Sequence, residues 1–268
     1  MTADTETVST LWIGPSLRWT EQMCLASFAA IGHPVNLYTY DTVTGLPDGV
    51  TLCDANTVWT PPAGMLESAG PALIADIFRL HLMRHTDEIW VDADMIATRP
   101  FGRSATGYAI GRQDKATVNN AVLRMPKTAP ALDDLLDLIA DPEFIPPWMR
   151  PVHRNKLRDT PPGERLIRAH QLKRATLGPI ALTYALQQAG GDNQAADRDV
   201  YHPVPWPFTD VLFSPHGGTE GWIAEQTCGI HLWNNLLRPH HKTHKPHPDS
   251  YVGRMVSRLG TDISALRN

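Results

Sequence analysis

An α/β fold is predicted from three features of the chain. A strand, a helix and a second strand follow one another near the N-terminus, which is the order of a nucleotide-binding unit. A longer amphipathic helix at 72–85 then leads into an apolar strand at 88–96. The 268 residues suffice for one substantial core, and no Gly/Ser-rich linker divides them. The sequence therefore predicts a single α/β domain.

The N-terminal unit is predicted as a strand at 11–14, a short helix at 24–31, a strand at 35–40 and a glycine-bounded turn at 45–49. In the following helix, Asp76 and Arg79 are three residues apart and share one face. Two interpretations stay open for this pair. It forms a surface ion pair, which contributes little stability, or it lines a binding pocket next to the strand that follows the helix.

The apolar strand at 88–96 carries two carboxylates, Asp92 and Asp94, with Ala93 between them. Alternation of side chains along a strand predicts that both aspartates project the same way, at the strand exit where α/β folds bind ligands. Two converging carboxylates suit Mg²⁺ or Mn²⁺, which take their remaining ligands from water and substrate phosphates. The motif therefore indicates a phosphorylated substrate.

Further along, short strands are predicted at 108–112 and 121–125, with Asn119 and Asn120 between them. Paired asparagines are also typical of a turn. A helix is predicted at 131–140, and prolines break regular structure over 141–151. Trp148 in that segment either offers its ring for stacking on a ligand or belongs to a structural wrap.

Near the C-terminus, His231 follows a strand-like Cys-Gly-Ile and precedes Leu232-Trp233. A single histidine in an apolar strand is usually structural, but an imidazole is also a normal ligand of a transition metal. Four later histidines lie among Arg, Lys and Pro without a cysteine pair, so a solvated basic loop is expected rather than a zinc site. These are His240, His241, His244 and His247.

Four segments resemble retaining glycosyltransferases that carry a DXD sugar-binding region, a group that includes the α-1,4-galactosyltransferases, the yeast-type α-mannosyltransferases and the glucosylating bacterial toxins. The segments are Leu-Trp-Ile-Gly (11–14), Ala-Asp-Ile-Phe-Arg-Leu (75–80), Ile-Trp-Val-Asp-Ala-Asp-Met-Ile (89–96) and Cys-Gly-Ile-His-Leu-Trp-Asn-Asn (228–235). Thr-Leu-Gly-Pro (176–179) is similar to the group's Thr-Gly-Pro element, with one residue inserted.

The resemblance implies a GT-A-like single domain whose mixed sheet is built on a Rossmann-like half. Residues 8–128 would form the nucleotide-sugar and metal-binding half, and 129–268 the acceptor-side and closing half. It further implies a catalytic role for Asp94, Arg79 and Asn120, and a Mn²⁺ or Mg²⁺ ion held by Asp92, Asp94 and His231. The implied donor-binding residues are Trp12, Ile13, Gly14, Asp76, Arg79, Asp92, Asn119 and Asn120. The implied acceptor-binding residues are Trp148, Gly178, Pro179 and Trp233.

For Trp12 the resemblance implies stacking on the nucleotide base, and the alternative is a core tryptophan of the first strand. Gly14, which has no Cβ, would let the backbone approach the nucleotide.

The implied activity is that of a hexosyltransferase that moves a sugar from a nucleotide diphosphate sugar, with UDP favoured, to a glycan or glycolipid acceptor with retention of configuration. Bacterial surface polysaccharide biosynthesis is the expected setting. A catalytically silent sugar-nucleotide or glycan-binding module is the alternative. A metal-dependent phosphohydrolase would normally gather more acidic ligands.

Composition bears on whether the protein binds nucleic acid, whether it spans a membrane and where in the cell it is expected. A formal net charge of −4 argues against nucleic acid, and no apolar run reaches the roughly 20 residues that span a bilayer. Peripheral contact with a membrane stays open. The first residues lack the pattern of a secretory signal, and three cysteines without metal spacing suit reduced thiols. A cytoplasmic protein is expected.

Overall fold

The computed structural model describes residues 5–268, and its secondary structure alternates between strands and helices. The strands are β1 (Val8–Leu11), β2 (Val35–Thr39), β3 (Val50–Asp54), β4 (Ile89–Val91), β5 (Met95–Ala97), β6 (Ala109–Arg112), β7 (Val118–Arg124) and β8 (Gly229–His231). The helices are α1 (Trp19–Ala30), α2 (Met65–Ala69), α3 (Pro71–His85), α4 (Pro130–Ala140), α5 (Pro151–Arg158), α6 (Arg165–Leu172), α7 (Pro179–Gln188), α8 (Arg198–Tyr201), α9 (Pro239–Thr243) and α10 (Tyr251–Leu259).

Six strands form one sheet in the order β3-β2-β1-β4-β7-β6, and β5 pairs with β8 in a second sheet. The pairing of β1 with β2 is parallel, with Val8 opposite Val35, whereas β6 and β7 are antiparallel. The predicted α/β fold class with a mixed sheet is confirmed. No helix within residues 5–268 is both long and apolar enough to cross a bilayer.

The chain divides into two compact units, and each takes segments from both sides of residue 128. Unit 1 comprises the described residues up to Cys53, Val91–Gly102 and Asp197–Asn268. Its core is an apolar cluster that includes Trp19, Met23, Ile96, Ile230 and Val252. The cluster joins the inner faces of α1 and α10 to β5 and β8, so it fixes the strand that follows the two aspartates and the strand that ends at His231.

Unit 2 comprises Asp54–Trp90 and Arg103–Ala196. Helix α3 begins at Pro71, where a missing backbone N–H costs nothing, and buries Leu73, Ile74 and Phe78. Helix α7 likewise begins at a proline, Pro179, and packs with α4 and β7. The buried faces of these helices determine where the polar residues of unit 2 lie.

Several predicted boundaries were wrong, each because a tertiary contact extends or replaces a local pattern. The first helix begins at Trp19 rather than at residue 24, since Trp19 and Met23 are buried in the core of unit 1. Strand β7 begins at Val118, so Asn119 and Asn120 lie in a buried strand and the turn interpretation is wrong. Part of the expected basic loop is the short helix α9.

Candidate functional site

The two aspartates lie in a tight turn between β4 and β5. The backbone N–H of Met95 donates to the carbonyl of Asp92 at 3.0 Å, which closes the turn immediately after the apolar strand ends at Val91. The expected strand alternation is therefore wrong for this pair, because the strand stops before Asp92. The turn itself brings the two carboxylates together, at the exit of an interior strand of the six-stranded sheet.

His231 is brought to the aspartates by the pairing of β5 with β8. The antiparallel register places Met95 opposite His231, and the N–H of Leu232 donates to the carbonyl of Asp94 at 3.0 Å. The His231 Nε2 atom consequently lies 3.2 Å from Asp94 Oδ1, with the imidazole buried. Residues widely separated in the sequence thus form one cluster in unit 1.

The second carboxylate oxygen of Asp94 accepts a hydrogen bond of 2.7 Å from the backbone N–H of Asn234. Burial alone would raise the pKa of the Asp94 carboxyl, but the charge and hydrogen bond of His231 and the N–H of Asn234 outweigh it and hold that pKa below its usual value. Asp94 is therefore ionised at neutral pH, as a metal ligand must be.

The chemistry of this cluster fits a divalent metal. Asp92, Asp94 and His231 each offer one ligand atom, and these atoms lie within 4.8 Å of one another. Carboxylates suit Mg²⁺ and Mn²⁺, and an imidazole suits transition ions, so Mn²⁺ satisfies the mixed donor set better than Mg²⁺. Three protein ligands would leave coordination positions for water or a phosphate.

Trp233 adopts an unusual backbone conformation beside this cluster. Its φ of 55° is the only positive value for a non-glycine residue within 5–268. Its ring stacks on His231 with centroids 4.0 Å apart, and its Nε1 donates to the Val204 carbonyl at 3.1 Å. Strained conformations of this kind persist where surrounding contacts enforce them. Here the contacts of Trp233 hold the His231 imidazole in place. The next residue, Asn234, supplies the backbone N–H that binds Asp94.

Trp12, Ile13 and Gly14 follow β1 in unit 1, and Trp12 is only half-buried. Its Nε1 atom is itself buried without a hydrogen-bond acceptor among the described residues, and the Arg18 guanidinium lies 5.6 Å from its ring centroid. At Gly14, where φ is +144°, an added Cβ would lie 3.4 Å from the Trp12 Nε1. Trp12 is therefore not a fully buried core tryptophan.

Unit 2 contains a separate polar cluster on α3 and β7. Asp76 and Arg79 are 9% and 5% exposed, so they are not a surface pair. Arg79 lies 3.3 Å from Asp76 Oδ1, donates to the Asn120 carbonyl at 2.5 Å and stacks over Trp90 at 4.5 Å. The Asn120 amide donates to Asp76 Oδ1 at 2.9 Å. These contacts make Arg79 the group that orients Asp76 and Asn120.

Gly178 closes this cluster at the start of α7. An added Cβ would lie 3.0 Å from Asp76 Oδ1 and 3.1 Å from Asn120 Nδ2, so only a glycine fits without a shift. Asn119, in contrast, bonds Gln113 through its side chain at 2.7 Å. Four of the predicted site residues therefore lie together in this cluster, namely Asp76, Arg79, Asn120 and Gly178, whereas the neighbouring Asn119 has a different partner.

Trp148 packs within the proline-rich segment of unit 2. Its Nε1 donates to the Thr176 carbonyl at 3.0 Å, and its ring lies 4.7 Å from that of Tyr184. It also packs against the small apolar cluster formed by Met149, Leu157 and Ala169. These contacts support the structural-wrap interpretation of the segment.

A cavity of about 810 Å³ also lies in unit 2, and no predicted site residue lines it within the described chain. Trp59 stacks on His81 with centroids 5.3 Å apart, and Leu136 and Ile167 contribute apolar walls. Sequence reasoning did not identify this cavity, nor Glu21 and Asn234 beside the aspartates. His81 and His85 are one helical turn apart and both line the cavity, so their spacing was the sequence feature that could have indicated it.

No protein-family model matches the chain, and no curated protein matches it. Among solved structures, a chain titled PaToxG Glycosyltransferase aligns with a TM-score of 0.41 and 16% identity. The alignment covers 69% of this chain and 69% of that chain.

Proposed function

We propose that this protein is a Mn²⁺-dependent glycosyltransferase that moves a hexose from a nucleotide diphosphate sugar to an acceptor hydroxyl with retention of configuration. A UDP-linked donor and a glycan or glycolipid acceptor of a bacterial surface polysaccharide are part of the proposal. The protein would act in the cytoplasm, with peripheral contact to a membrane. The convergence of Asp92, Asp94 and His231 carries the proposal.

That convergence supports the proposal because the motif resemblance requires it. The Asp-X-Asp segment and the His-X-Trp segment belong to different parts of the chain, and a chance match of either would not bring their side chains into contact. Instead, His231 lies 3.2 Å from Asp94, and Trp233 stacks on His231. A surface turn with two aspartates would not need a buried histidine beside it.

Asp92, Asp94 and His231 would hold the metal, and when bound the ion neutralises charge that develops on a leaving diphosphate. The residues of the chain would orient the metal ligand Asp94 and bind the two parts of the donor, the base and the sugar. The backbone amide of Asn234 fixes the Asp94 carboxylate through its hydrogen bond to Oδ2. Trp12 would bind the base by stacking. Asp76 and Asn120 would bind the donor sugar, with Arg79 holding them in place.

The proposal is tested by calorimetric titration with UDP-, GDP- and other nucleotide sugars, with and without Mn²⁺, followed by assays for sugar transfer and donor hydrolysis. Asp94→Asn should abolish Mn²⁺-dependent donor binding without unfolding the protein, because it removes one anionic ligand and leaves no cavity. Asp134→Asn, a change at an exposed carboxylate of α4, is the matched control and should behave as wild type.

Metal-dependent binding without turnover, for any acceptor or water, would favour the sugar-nucleotide-binding module over the enzyme. Donor binding that ignores both Mn²⁺ and the Asp94→Asn change would contradict the metal-dependent proposal.

A further inference from the structure

Glu21 is a buried carboxylate that neither the motif resemblance nor the metal cluster includes. It lies in the first turn of α1 and is 1% exposed. Burying a charge is costly unless it is paired and hydrogen-bonded. An acidic residue in a first helical turn is ordinarily explained by the helix dipole, but that interaction does not require burial.

Both oxygens of Glu21 have hydrogen-bond donors. Arg18 donates through Nη2 to Oε1 at 2.5 Å and through Nε to Oε2 at 3.1 Å, and Thr20 donates to Oε2 at 3.0 Å. The Arg18 side chain is 56% exposed, so this ion pair contributes little on its own. The fourth donor is buried and distant in sequence: the Asn234 amide Nδ2 donates to Oε1 at 2.8 Å.

Asn234 connects Glu21 to the candidate metal ligand Asp94. Its side chain binds Glu21 while its backbone N–H donates to Asp94 Oδ2 at 2.7 Å, so the two ends of one residue bridge two carboxylates. The strained φ of Trp233 immediately precedes this amide. A residue in such a conformation persists where its surroundings hold it, and the hydrogen bonds of the Asn234 amide to Glu21 and, at 3.2 Å, to Thr20 Oγ1 are among the contacts that hold this segment.

We propose that Glu21 is a positioning residue of the metal centre, acting through Asn234 to fix the Asp94 carboxylate in its metal-binding orientation. The inference rests on the part of the proposed function that assigns a divalent metal to Asp92, Asp94 and His231. Groups that orient metal ligands ordinarily change metal affinity by about 10–100-fold when they are removed. Glu21 does not bind a metal ligand directly. It binds the side chain of Asn234, whose backbone N–H binds Asp94.

The test measures Mn²⁺ binding to the protein alone, by calorimetry and by electron paramagnetic resonance, so that it does not depend on transferase activity. Glu21→Met keeps the length of the side chain but accepts no strong hydrogen bond, and should weaken Mn²⁺ binding about 10-fold. Asn234→Ala should have a similar effect. Glu21→Gln keeps an oxygen that can accept from Asn234 Nδ2, so it should restore most of the affinity.

A matched control separates positioning from stability. Arg18→Ala removes an exposed partner of Glu21 and leaves the bond to Asn234, so Mn²⁺ affinity should stay near the wild-type value even where the melting temperature falls.

Two results would overturn the inference in distinguishable ways. If wild-type protein binds Mn²⁺ and Asp94→Asn abolishes it, but folded Glu21→Met and Glu21→Gln bind as tightly as wild type, Glu21 has a structural role only. If wild-type protein itself binds no Mn²⁺, the metal assignment of the proposed function fails, and the positioning role fails with it.

Discussion

At the scale of residues, His231 and Asp94 share a short contact because β8 lies antiparallel to β5. The pairing register, and not any local sequence pattern, decides which side chain of the closing segment faces the carboxylates. Residues that act as one unit in catalysis show strongly non-additive losses when they are changed together. The proximity of the two side chains therefore has a kinetic consequence.

The His231→Ala and Asp94→Asn changes together should lose much less activity than the sum of the two logarithmic losses, since either one alone already disables the proposed metal centre. The measurement is a double-mutant cycle on kcat/KM for sugar transfer. His240→Ala, at an exposed residue of α9, combined with Asp94→Asn is the control and should be additive. Additivity for His231, with every variant folded, would return it to a structural role.

Trp12 offers a second residue-scale prediction. If it stacks on the nucleotide base, Trp12→Phe should retain most of the donor affinity and Trp12→Ala should lose roughly 1–3 kcal/mol of it. The half-exposed ring predicts a stability cost below the roughly 3–5 kcal/mol expected for a buried tryptophan. Donor titration and urea unfolding of the same variants measure the two quantities. A large stability loss with unchanged donor affinity would contradict base stacking.

At the scale of elements, helix α7 begins where the chain passes closest to the Asp76 and Asn120 side chains. Pro179 supplies the first helical residue, and Gly178 before it leaves no Cβ to separate the helix start from the polar pair. The N-terminus of α7 therefore packs closely against the Asp76 and Asn120 side chains. The same approach explains why a glycine, which has no Cβ, precedes the first helical residue.

Gly178→Ala should destabilise the protein by about 1–3 kcal/mol, because the new methyl group would overlap the carboxylate and amide and force a shift. The displaced Asp76 and Asn120 should also weaken donor binding. Denaturant unfolding and donor titration measure these effects. The matched control is Gly221→Ala, where an added Cβ meets nothing within 4 Å. Equal behaviour of the two variants would show that the contact at α7 is relaxed without cost.

At the scale of the whole molecule, stability should depend on pH through the half-buried His81 of unit 2. Burial first, and then the nearby His85, lower the pKa of His81 from 6.5 to about 4. The folded protein keeps this imidazole neutral where the unfolded chain would protonate it. Between pH 6.5 and pH 4 the unfolded state therefore binds more protons, and the free energy of unfolding falls as the pH falls.

His81→Gln should remove this contribution. As the pH is lowered from 7 to 4, the free energy of unfolding should therefore fall more for wild type than for the variant. Urea unfolding at several pH values measures it. The control is His216→Gln, at an exposed histidine, which should change the profile little. Parallel pH profiles for wild type and His81→Gln would contradict the lowered pKa.

The sequence alone determined the features that depend on local order. Apolar periodicity and an initial proline located α3, and an apolar run ending in Asp-X-Asp located the exit of β4. The predictions of α3 and β4 succeeded because helix and strand periods are properties of neighbouring residues. The place of His231 beside the aspartates was predicted from the motif resemblance and not from a local period.

Only the tertiary structure decided which polar residues are buried and what they bind. From the sequence alone, a surface pair was possible for Asp76 and Arg79, and a turn for Asn119 and Asn120. The packing of α3 and β7 buries all four residues. Glu21 and Asn234 had no sequence signal, since their hydrogen bond joins residues 213 positions apart. Burial and hydrogen-bond partners depend on long-range packing, which no local period encodes.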